Sequence, residues 1–329
     1  MALTFGIYPG GLVGDDKGIV HPVRPDLPDR IIDALDALQG DTATLSVRAY
    51  RPFATTVIPQ EPPTPADPKT YLQRGRKLDL VLQFREPSGE LDGWLEFVRE
   101  TVRTGGPYLA SLQICEEPNA DLPVLDGSTP NVLNALVQGV IAAKQEARAL
   151  GHNLAVGFNA VPTFGPADPF WSELAALADA RFLQSLDYVG LDFFPDRPIG
   201  ADQLAGAVTA VLTGFRRIDL PRAGIPDTVA IRVCENGWPT GPDRTEQRQA
   251  ATLETVVRTV TALAAELNID GYSFFALRDA DSGAEGLFHR FGLLRDDYTP
   301  KPAFETYRQL INELGNPPVI SARLPPPAG

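Results

Sequence analysis

Two acidic motifs follow predicted strands and contain the residue types needed for acid–base chemistry. They are Glu116-Glu117-Pro118-Asn119 and Glu235-Asn236-Gly237-Trp238. A pair of opposed carboxyl groups can cleave a carbon–oxygen bond, because one protonates the departing oxygen while the other attacks or activates water. Alone, Glu117 would fit a solvated loop acid, and Glu235 would fit a surface residue beside an Asn-Gly turn. The presence of both acids at strand ends favours one shared site.

The cysteines and histidines support other chemistry less well. Cys115 and Cys234 lie beside the acids, but a thiol nucleophile needs a histidine base, and none of the three histidines lies in a matching motif. We interpret both thiols as buried and reduced. The stretch Asp279–Gly283 resembles the start of a calcium loop but lacks the downstream glutamate. We therefore expect neither a metal nor a cofactor.

Eight short apolar runs, mostly rich in β-branched or aromatic residues, recur along the 329 residues. Runs of this kind are typical of buried parallel strands. We predict strands over Leu3–Tyr8, Thr44–Tyr50, Leu78–Phe84, Tyr108–Cys115, Leu154–Asn159, Tyr188–Phe193, Thr228–Cys234 and Gly271–Ala276.

Helical patterns separate these strands. The strongest cover Thr129–Leu150, Glu246–Leu267 and Ala303–Leu314, where apolar residues recur at helical spacing. Ser128 and Thr129 are candidate caps for the first of them. Weaker patterns predict helices over Asp29–Leu38, Thr70–Arg76, Leu91–Arg103, Trp171–Leu183 and Ala201–Phe215.

Eight strands, each followed by a helix, predict a single (β/α)8 barrel over residues 1–315, with a proline-rich tail over 316–329. The alternative is an open doubly wound sheet, but the glycines of Gly10–Gly14 have the wrong spacing for a dinucleotide motif. A barrel places its active site at the C-terminal ends of the strands. Strands four and seven nearly face each other there, which brings Glu117 and Glu235 to one opening.

Composition excludes several classes of partner. Apolar residues make up 43% of the chain, enough for a sizeable core, and the formal charge of −13 argues against nucleic acid and anionic membranes. No run approaches the roughly 18 apolar residues of a membrane span. The N-terminus lacks the features of a signal peptide, so we expect a cytoplasmic protein.

The motifs resemble those of clan-A glycoside hydrolases, which are retaining (β/α)8 barrels. The similarity lies in Glu117-Pro118-Asn119 after strand four and in Glu235–Thr240 after strand seven. It extends to Phe275–Asp279 at the end of strand eight and to the segment 291–304, and it covers essentially the whole chain. The resemblance implies a carbohydrate substrate and a retaining β-glycoside hydrolase.

The resemblance also implies roles for particular residues. Glu117 would be the general acid/base and needs a raised pKa, whereas Glu235 would be the nucleophile and must stay ionised. An arginine at the end of strand two usually supports the nucleophile. Arg48 matches best and Arg51 second, and an ordinary ion pair is the alternative for Arg48. Asn119, within the first motif, is a candidate for substrate binding.

Several positions depart from the pattern of the family. Glu116 stands where an asparagine normally binds the sugar 2-hydroxyl, and an ionised carboxylate cannot donate as an amide can. Phe194 stands where a tyrosine commonly bonds the nucleophile. Phe274 and Phe275 occupy the region of the usual tryptophan platform.

Further candidates come from side-chain chemistry. Trp238 is the best candidate for stacking on a sugar, followed by Trp171 and Phe164, with core packing as the alternative. Asp192 is either a site residue or a strand-end cap. Arg278 would bind a substrate carboxylate or pair with Asp279 or Asp281.

Two alternatives to a hydrolase remain open in the sequence. A transglycosylase would use the same residues with a drier acceptor site. A non-catalytic carbohydrate-binding barrel would explain Glu116 and Phe194, but it has no need for opposed carboxylates.

Overall fold

A computed structural model describes residues 2–15, 17–40, 44–56, 61–163, 168–195 and 199–315. In it, eight parallel strands form a closed barrel, which confirms the predicted (β/α)8 fold and excludes the doubly wound sheet. The predicted tail lies outside the described residues. We number the barrel strands β1 Thr4–Ile7, β2 Leu45–Phe53, β3 Lys77–Phe84, β4 Leu109–Ile114, β5 Ala155–Ala160, β6 Tyr188–Asp192, β7 Ala230–Asn236 and β8 Ile269–Phe274.

Strand β1 closes the barrel by pairing with both β2 and β8. Ile7 is in register with Val47 on one side and with Phe274 on the other. The remaining strands pair with their sequence neighbours, as right-handed crossovers require. A two-stranded hairpin, Val13–Asp15 with Gly18–Val20, follows β1.

Helices surround the barrel and bury their apolar faces on the strands, so the main core lies between the two layers. No helix in the described part of the chain is long and apolar enough to cross a membrane. The α-helices are α1 Pro28–Gln39, α2 Asp92–Gly105, α3 Val132–Ala149, α4 Phe170–Leu177, α5 Ala180–Ser185, α6 Leu204–Gly214, α7 Leu220–Arg222, α8 Glu246–Leu267 and α9 Pro302–Leu314, and a π-helical turn, Phe215–Asp219, joins α6 to α7.

The helix predicted over Thr70–Arg76 is wrong. Two 3-10 turns, Pro68–Tyr71 and Gln73–Gly75, stand in its place. Arg74 has a φ of 56° and Gly75 a φ of 79°, which lie outside the right-handed helical region. So short a segment forms too few helical hydrogen bonds to offset the cost of nucleation.

The single helix predicted over Trp171–Leu183 is also wrong, because the chain breaks between α4 and α5. Asp179 has extended backbone, and its carboxylate accepts hydrogen bonds from the N–H groups of Arg181 and Phe182. This cap starts a second helix, since it satisfies donors that no preceding turn would satisfy.

The start of α3 lies three residues later than predicted. Asn131 adopts a left-handed conformation with a φ of 64°, so the helix begins at Val132 rather than at Thr129. The candidate cap Ser128 instead closes a 3-10 turn, in which its hydroxyl donates to the carbonyl of Leu125.

Candidate active site

Glu117 and Glu235 line the same cavity at the mouth of the barrel. The cavity has a volume of about 400 Å³ and is bounded by the ends of the strands and the loops that follow them. Both side chains are buried, with 8% and 7% exposure. Glu117 follows β4 with a φ of 43°, and its N–H donates to Asn159 Oδ1 at 2.7 Å. The chain therefore turns sharply after β4 and is held in that turn from β5.

Asp126 holds the backbone of the first acidic motif from behind. Its Oδ2 accepts hydrogen bonds from the N–H of Glu116 at 2.7 Å and from the N–H of Phe84 at 2.8 Å. Its other oxygen pairs with the guanidinium of Arg85, which also binds Glu61 at 2.8 Å. This buried cluster fixes the motif to the end of β3.

Tyr50 and Arg48 support the carboxylate of Glu235. The hydroxyl of Tyr50 donates to Glu235 Oε1, and Arg48 Nε lies 3.4 Å from the same oxygen. Arg48 Nε also donates to the Tyr50 hydroxyl at 2.8 Å. Burial raises the pKa of Tyr50, so its hydroxyl keeps the proton that it donates. Glu235 Oε1 is therefore held by one hydrogen-bond donor and one cation.

Arg48 lies beneath the cavity rather than in its lining. It is 1% exposed, and its terminal nitrogens donate to Asp79 at 2.8 Å and to Gln113 at 2.9 Å. Gln113 in turn donates to Glu116 Oε2 at 2.8 Å. Arg48 thus connects the acids of β4 and β7. The second candidate, Arg51, instead lies over the ring of Phe97 at 4.7 Å.

Glu116, Glu117 and Asp192 form an acidic cluster, with carboxylate oxygens within 4.8 Å of one another. Burial is the main cause that raises the pKa of each one well above its usual range. For Glu117, negative charge on Glu116 and Glu235 raises the pKa further, against the effect of Arg48. The arrangement therefore favours the protonated form of Glu117.

The acidic cluster has the spacing to ligate a hard cation such as Ca²⁺, but its chemistry suits one poorly. Such a cation needs several ionised oxygens, whereas burial favours the protonated carboxyls. Asn159 already donates to Asp192 at 2.6 Å, and Gln113 binds Glu116. We assign no metal to it.

Arg278 is a correction to the sequence analysis. It lies outside the cavity lining and binds Asp26 Oδ1 at 2.9 Å and the carbonyls of Arg24 and Pro25 at 2.8 and 3.0 Å. With these partners its buried guanidinium anchors the loop after β1. It is therefore not placed to bind a substrate carboxylate.

Asn119 and Trp238 also lie outside the cavity lining. Both ends of the Asn119 amide bind the backbone of Val161 at 2.9 Å, which ties the loop after β4 to the end of β5. Trp238 is 9% exposed, and the guanidinium of Arg244 lies 5.0 Å from its ring centre. The Asn119 amide is thus engaged by backbone groups, and the packing of Trp238 agrees with the alternative given for it.

Of the other aromatic residues named from the sequence, two line the cavity, and two, Trp171 and Phe274, lie in the core. Phe194 and Phe275 are in the lining, and Phe275 stacks on Tyr8 with 5.3 Å between ring centres. Trp171 is fully buried against Phe215, so core packing is its role. Phe164 lies outside the described residues.

Several neighbours of the acids escaped the sequence analysis. Tyr50 lies two residues after Arg48 on β2, and alternation along a strand places both on one face. Asn159 is the penultimate residue of β5, near the strand end where polar residues of a barrel point to its mouth. These two signals were present in the sequence. Cys115 and Cys234 are buried and unpaired, as predicted, and burial raises the pKa of both thiols.

Comparison with known proteins adds structural neighbours only. No protein-family model matches the chain, and neither does any curated protein. A family 39 glycoside hydrolase from Bacteroides cellulosilyticus WH2 aligns with 17% identity and a TM-score of 0.62, over 96% of this chain and 64% of its own length. The chain thus spans less than two thirds of that protein.

Two further solved structures align at similar levels. The family 1 β-glucosidase from Thermotoga maritima has 14% identity and a TM-score of 0.61, over 86% of this chain and 85% of that one. The β-D-glucuronidase from Dictyoglomus thermophilum has 9% identity and a TM-score of 0.58, over 93% of this chain and 54% of that one. At such low identities the similarity establishes that this chain shares their (β/α)8 barrel fold.

Proposed function

We propose that the protein is a retaining β-glycoside hydrolase in which Glu117 is the general acid/base and Glu235 the nucleophile. The observation that carries the proposal is the contrast between two carboxyl groups in one cavity. Burial and neighbouring acids raise the pKa of Glu117, whereas Glu235 accepts a hydrogen bond from Tyr50 and lies 3.4 Å from Arg48 Nε. When two carboxyl groups lie in such different environments, one can act as the acid and the other as the nucleophile.

In the first step the Glu235 carboxylate attacks the anomeric carbon of the sugar. The bond from that carbon to the departing oxygen breaks, and Glu117 transfers its proton to that oxygen. The products are a glycosyl ester on Glu235 and a free alcohol. As Glu117 becomes negative, its N–H bond to Asn159 keeps the backbone in place.

In the second step water replaces the alcohol. Glu117, now ionised, accepts a proton from the water as its oxygen attacks the anomeric carbon. The ester bond breaks, the sugar leaves with its original anomeric configuration, and Glu235 is again a carboxylate. Two inversions at one carbon give net retention.

The descriptions of the structural neighbours support this proposal, because they name enzymes that act on glycosides. The neighbours include proteins described as a family 39 glycoside hydrolase, β-glucosidases and β-glucuronidases. A carbohydrate is accordingly the proposed substrate. The proposal itself stands on the two carboxyl groups, since fold alone does not determine function.

A screen of aryl β-glycosides tests the proposal. We expect turnover of at least one sugar, with the β-anomer appearing first in proton NMR. Glu117→Gln should lower kcat on substrates with poor leaving groups by about 10²–10⁴-fold, and Glu90→Gln, at an exposed acid, should not. First release of the α-anomer would overturn retention. Sugar binding without any turnover would favour a non-catalytic barrel.

A further inference from the structure

The lining of the cavity divides into a polar floor and a mostly apolar rim. The floor consists of side chains at strand ends, namely Tyr50, Gln83, Glu116, Glu117 and Glu235. The rim comes from the loops beyond the strands. Six apolar residues of the rim form what we call the apolar wall, namely Leu122, Val124, Phe194, Phe275, Phe288 and Phe291.

The apolar wall exposes large side chains that a folded protein normally buries. Leu122 is 43% exposed, Phe288 is 40% exposed and Phe194 is 36% exposed, and all three face one cavity. Exposed apolar side chains gathered around one cavity mark a binding site more often than a chance feature. The wall therefore needs a ligand group that removes it from water.

The rings of the apolar wall form one continuous surface although they come from separate loops. Phe194, after β6, lies 5.3 Å from Phe291 and 6.3 Å from Phe275, between ring centres. Phe288 lies 6.1 Å from Phe291. These contacts hold the surface in shape without a ligand, so it is preorganised.

The polar side chains of the rim already have partners. Among the described lining residues, Glu61 binds Arg85 at 2.8 Å, and the Thr64 hydroxyl bonds that of Tyr8 at 2.6 Å. Asp15 accepts from the N–H of Lys17 at 2.8 Å. A second sugar ring in the rim would lose water from its hydroxyls and gain few hydrogen bonds.

We propose that the substrate carries an apolar leaving group, an aryl or alkyl alcohol rather than a second sugar, and that the apolar wall binds it. The inference rests on the proposed function. With the sugar on the floor, the bond to be cleaved lies at Glu117 and Glu235. The leaving oxygen then directs its substituent outward, along the wall.

A chain-length series tests this specificity. Methyl, butyl and hexyl β-glycosides of one sugar have alcohols of similar basicity, so differences in rate report on binding of the alkyl chain. We expect kcat/KM to rise with chain length, by up to about fourfold per methylene. The hexyl glycoside should also surpass the disaccharide of the same sugar. Equal values for methyl and hexyl, or preference for the disaccharide, would overturn the proposal.

Variants of the apolar wall test whether this surface is the one that binds the alkyl chain. The double variant Leu122→Ser/Phe288→Ser should flatten the dependence on chain length. Ile218→Ser is the matched control, because Ile218 is 60% exposed and lies in the π-helical turn away from the cavity. The control should keep the wild-type slope. An unchanged slope in the double variant would show that the chain binds elsewhere.

Binding measurements distinguish failure of this inference from failure of the proposed function. If no glycoside is hydrolysed, the proposed function fails, and calorimetry with methyl and hexyl β-glucoside still tests the wall. Tighter binding of the hexyl compound, lost in Leu122→Ser/Phe288→Ser, would support an apolar site. Equal binding of the two compounds would overturn it.

Discussion

The hydroxyl of Tyr50 occupies the position between Arg48 and the carboxylate of Glu235. Removing it in Tyr50→Phe leaves both charged groups with one partner fewer. Hydrogen bonds to charged groups contribute about 1.5–3 kcal/mol, so we expect kcat/KM on aryl glycosides to fall about 10- to 100-fold. Steady-state kinetics measure this directly.

Tyr8→Phe is the matched control for that variant. Tyr8 lies beside Tyr50, with 5.2 Å between ring centres, but its hydroxyl binds Leu12 and Thr64 instead of Glu235. Its loss should lower kcat/KM less than the loss of the Tyr50 hydroxyl. Equal losses would mean that Tyr50 acts only through packing.

Glu116 should set the alkaline limit of activity through its charge. The acid Glu117 works only while protonated, so the rate falls as pH rises through its pKa. Glu116 is the largest charged contribution that raises this pKa. Glu116→Gln removes the charge and lowers the pKa of Glu117, so the alkaline limb of kcat/KM should move to lower pH.

One result for the pH profile of Glu116→Gln would contradict this prediction. A limb that stays in place, or moves to higher pH, would exclude Glu116 as the cause of the raised pKa. The glutamine can keep its hydrogen bond from Gln113, so the variant changes charge with little change in packing.

At the scale of residues, the sequence predicted the acids better than their surroundings. Glu117 follows β4 and Glu235 lies at the end of β7, and strand ends converge in any barrel, so their proximity follows from topology. Arg278 was misjudged because its partner Asp26 lies in the loop after β1, and no local pattern connects the two. Long-range pairs of this kind depend on the packing of loops.

At the scale of elements, Asp126 connects the loop after β4 to β3. Asp126→Ala would leave Arg85 with Glu61 as its remaining acidic partner and would orphan the N–H groups of Phe84 and Glu116. Breaking a buried ion pair costs about 3–5 kcal/mol. We expect the free energy of unfolding to fall by that amount in chemical denaturation.

Glu90→Ala is the control for the Asp126 variant, because Glu90 is an exposed acid in the segment between β3 and α2. Its effect should stay within about 0.5 kcal/mol. A similar small effect for Asp126→Ala would show that the motif does not depend on this cluster.

Helices were predictable from the sequence where their own pattern of apolar residues was strong. The 22-residue helix α8 has the predicted bounds, because its apolar face, its Thr245 cap and its uninterrupted pattern all agree. The segment Thr70–Arg76 is short and contains two residues with left-handed backbone. The conformation of such a short segment is decided by its contacts with the rest of the protein, which a local sequence pattern does not reveal.

At the scale of the whole molecule, acidic residues without a cationic neighbour in the lining surround the place where the substrate would bind. The chain has a formal charge of −13, and no lysine, arginine or histidine occurs among the described residues that line the cavity. Glu116, Glu117 and Glu235 all face it. A negatively charged sugar would therefore meet acidic groups and no cation in the lining, which disfavours its binding.

This charge distribution predicts discrimination between neutral and anionic sugars. We expect kcat/KM for an aryl β-glucuronide to be at least about tenfold below that for the matching β-glucoside, because one repulsive contact costs about 1–4 kcal/mol. Added salt should narrow the difference. Preference for the glucuronide would show that a cation reaches the sugar.

Azide rescue tests most directly whether Glu235 is the nucleophile. Turnover of an activated aryl β-glycoside is measured for Glu235→Ala with and without azide. We expect activity to fall by more than about 10³-fold and azide to restore it with formation of the α-glycosyl azide. Full activity of Glu235→Ala without azide would contradict the assignment.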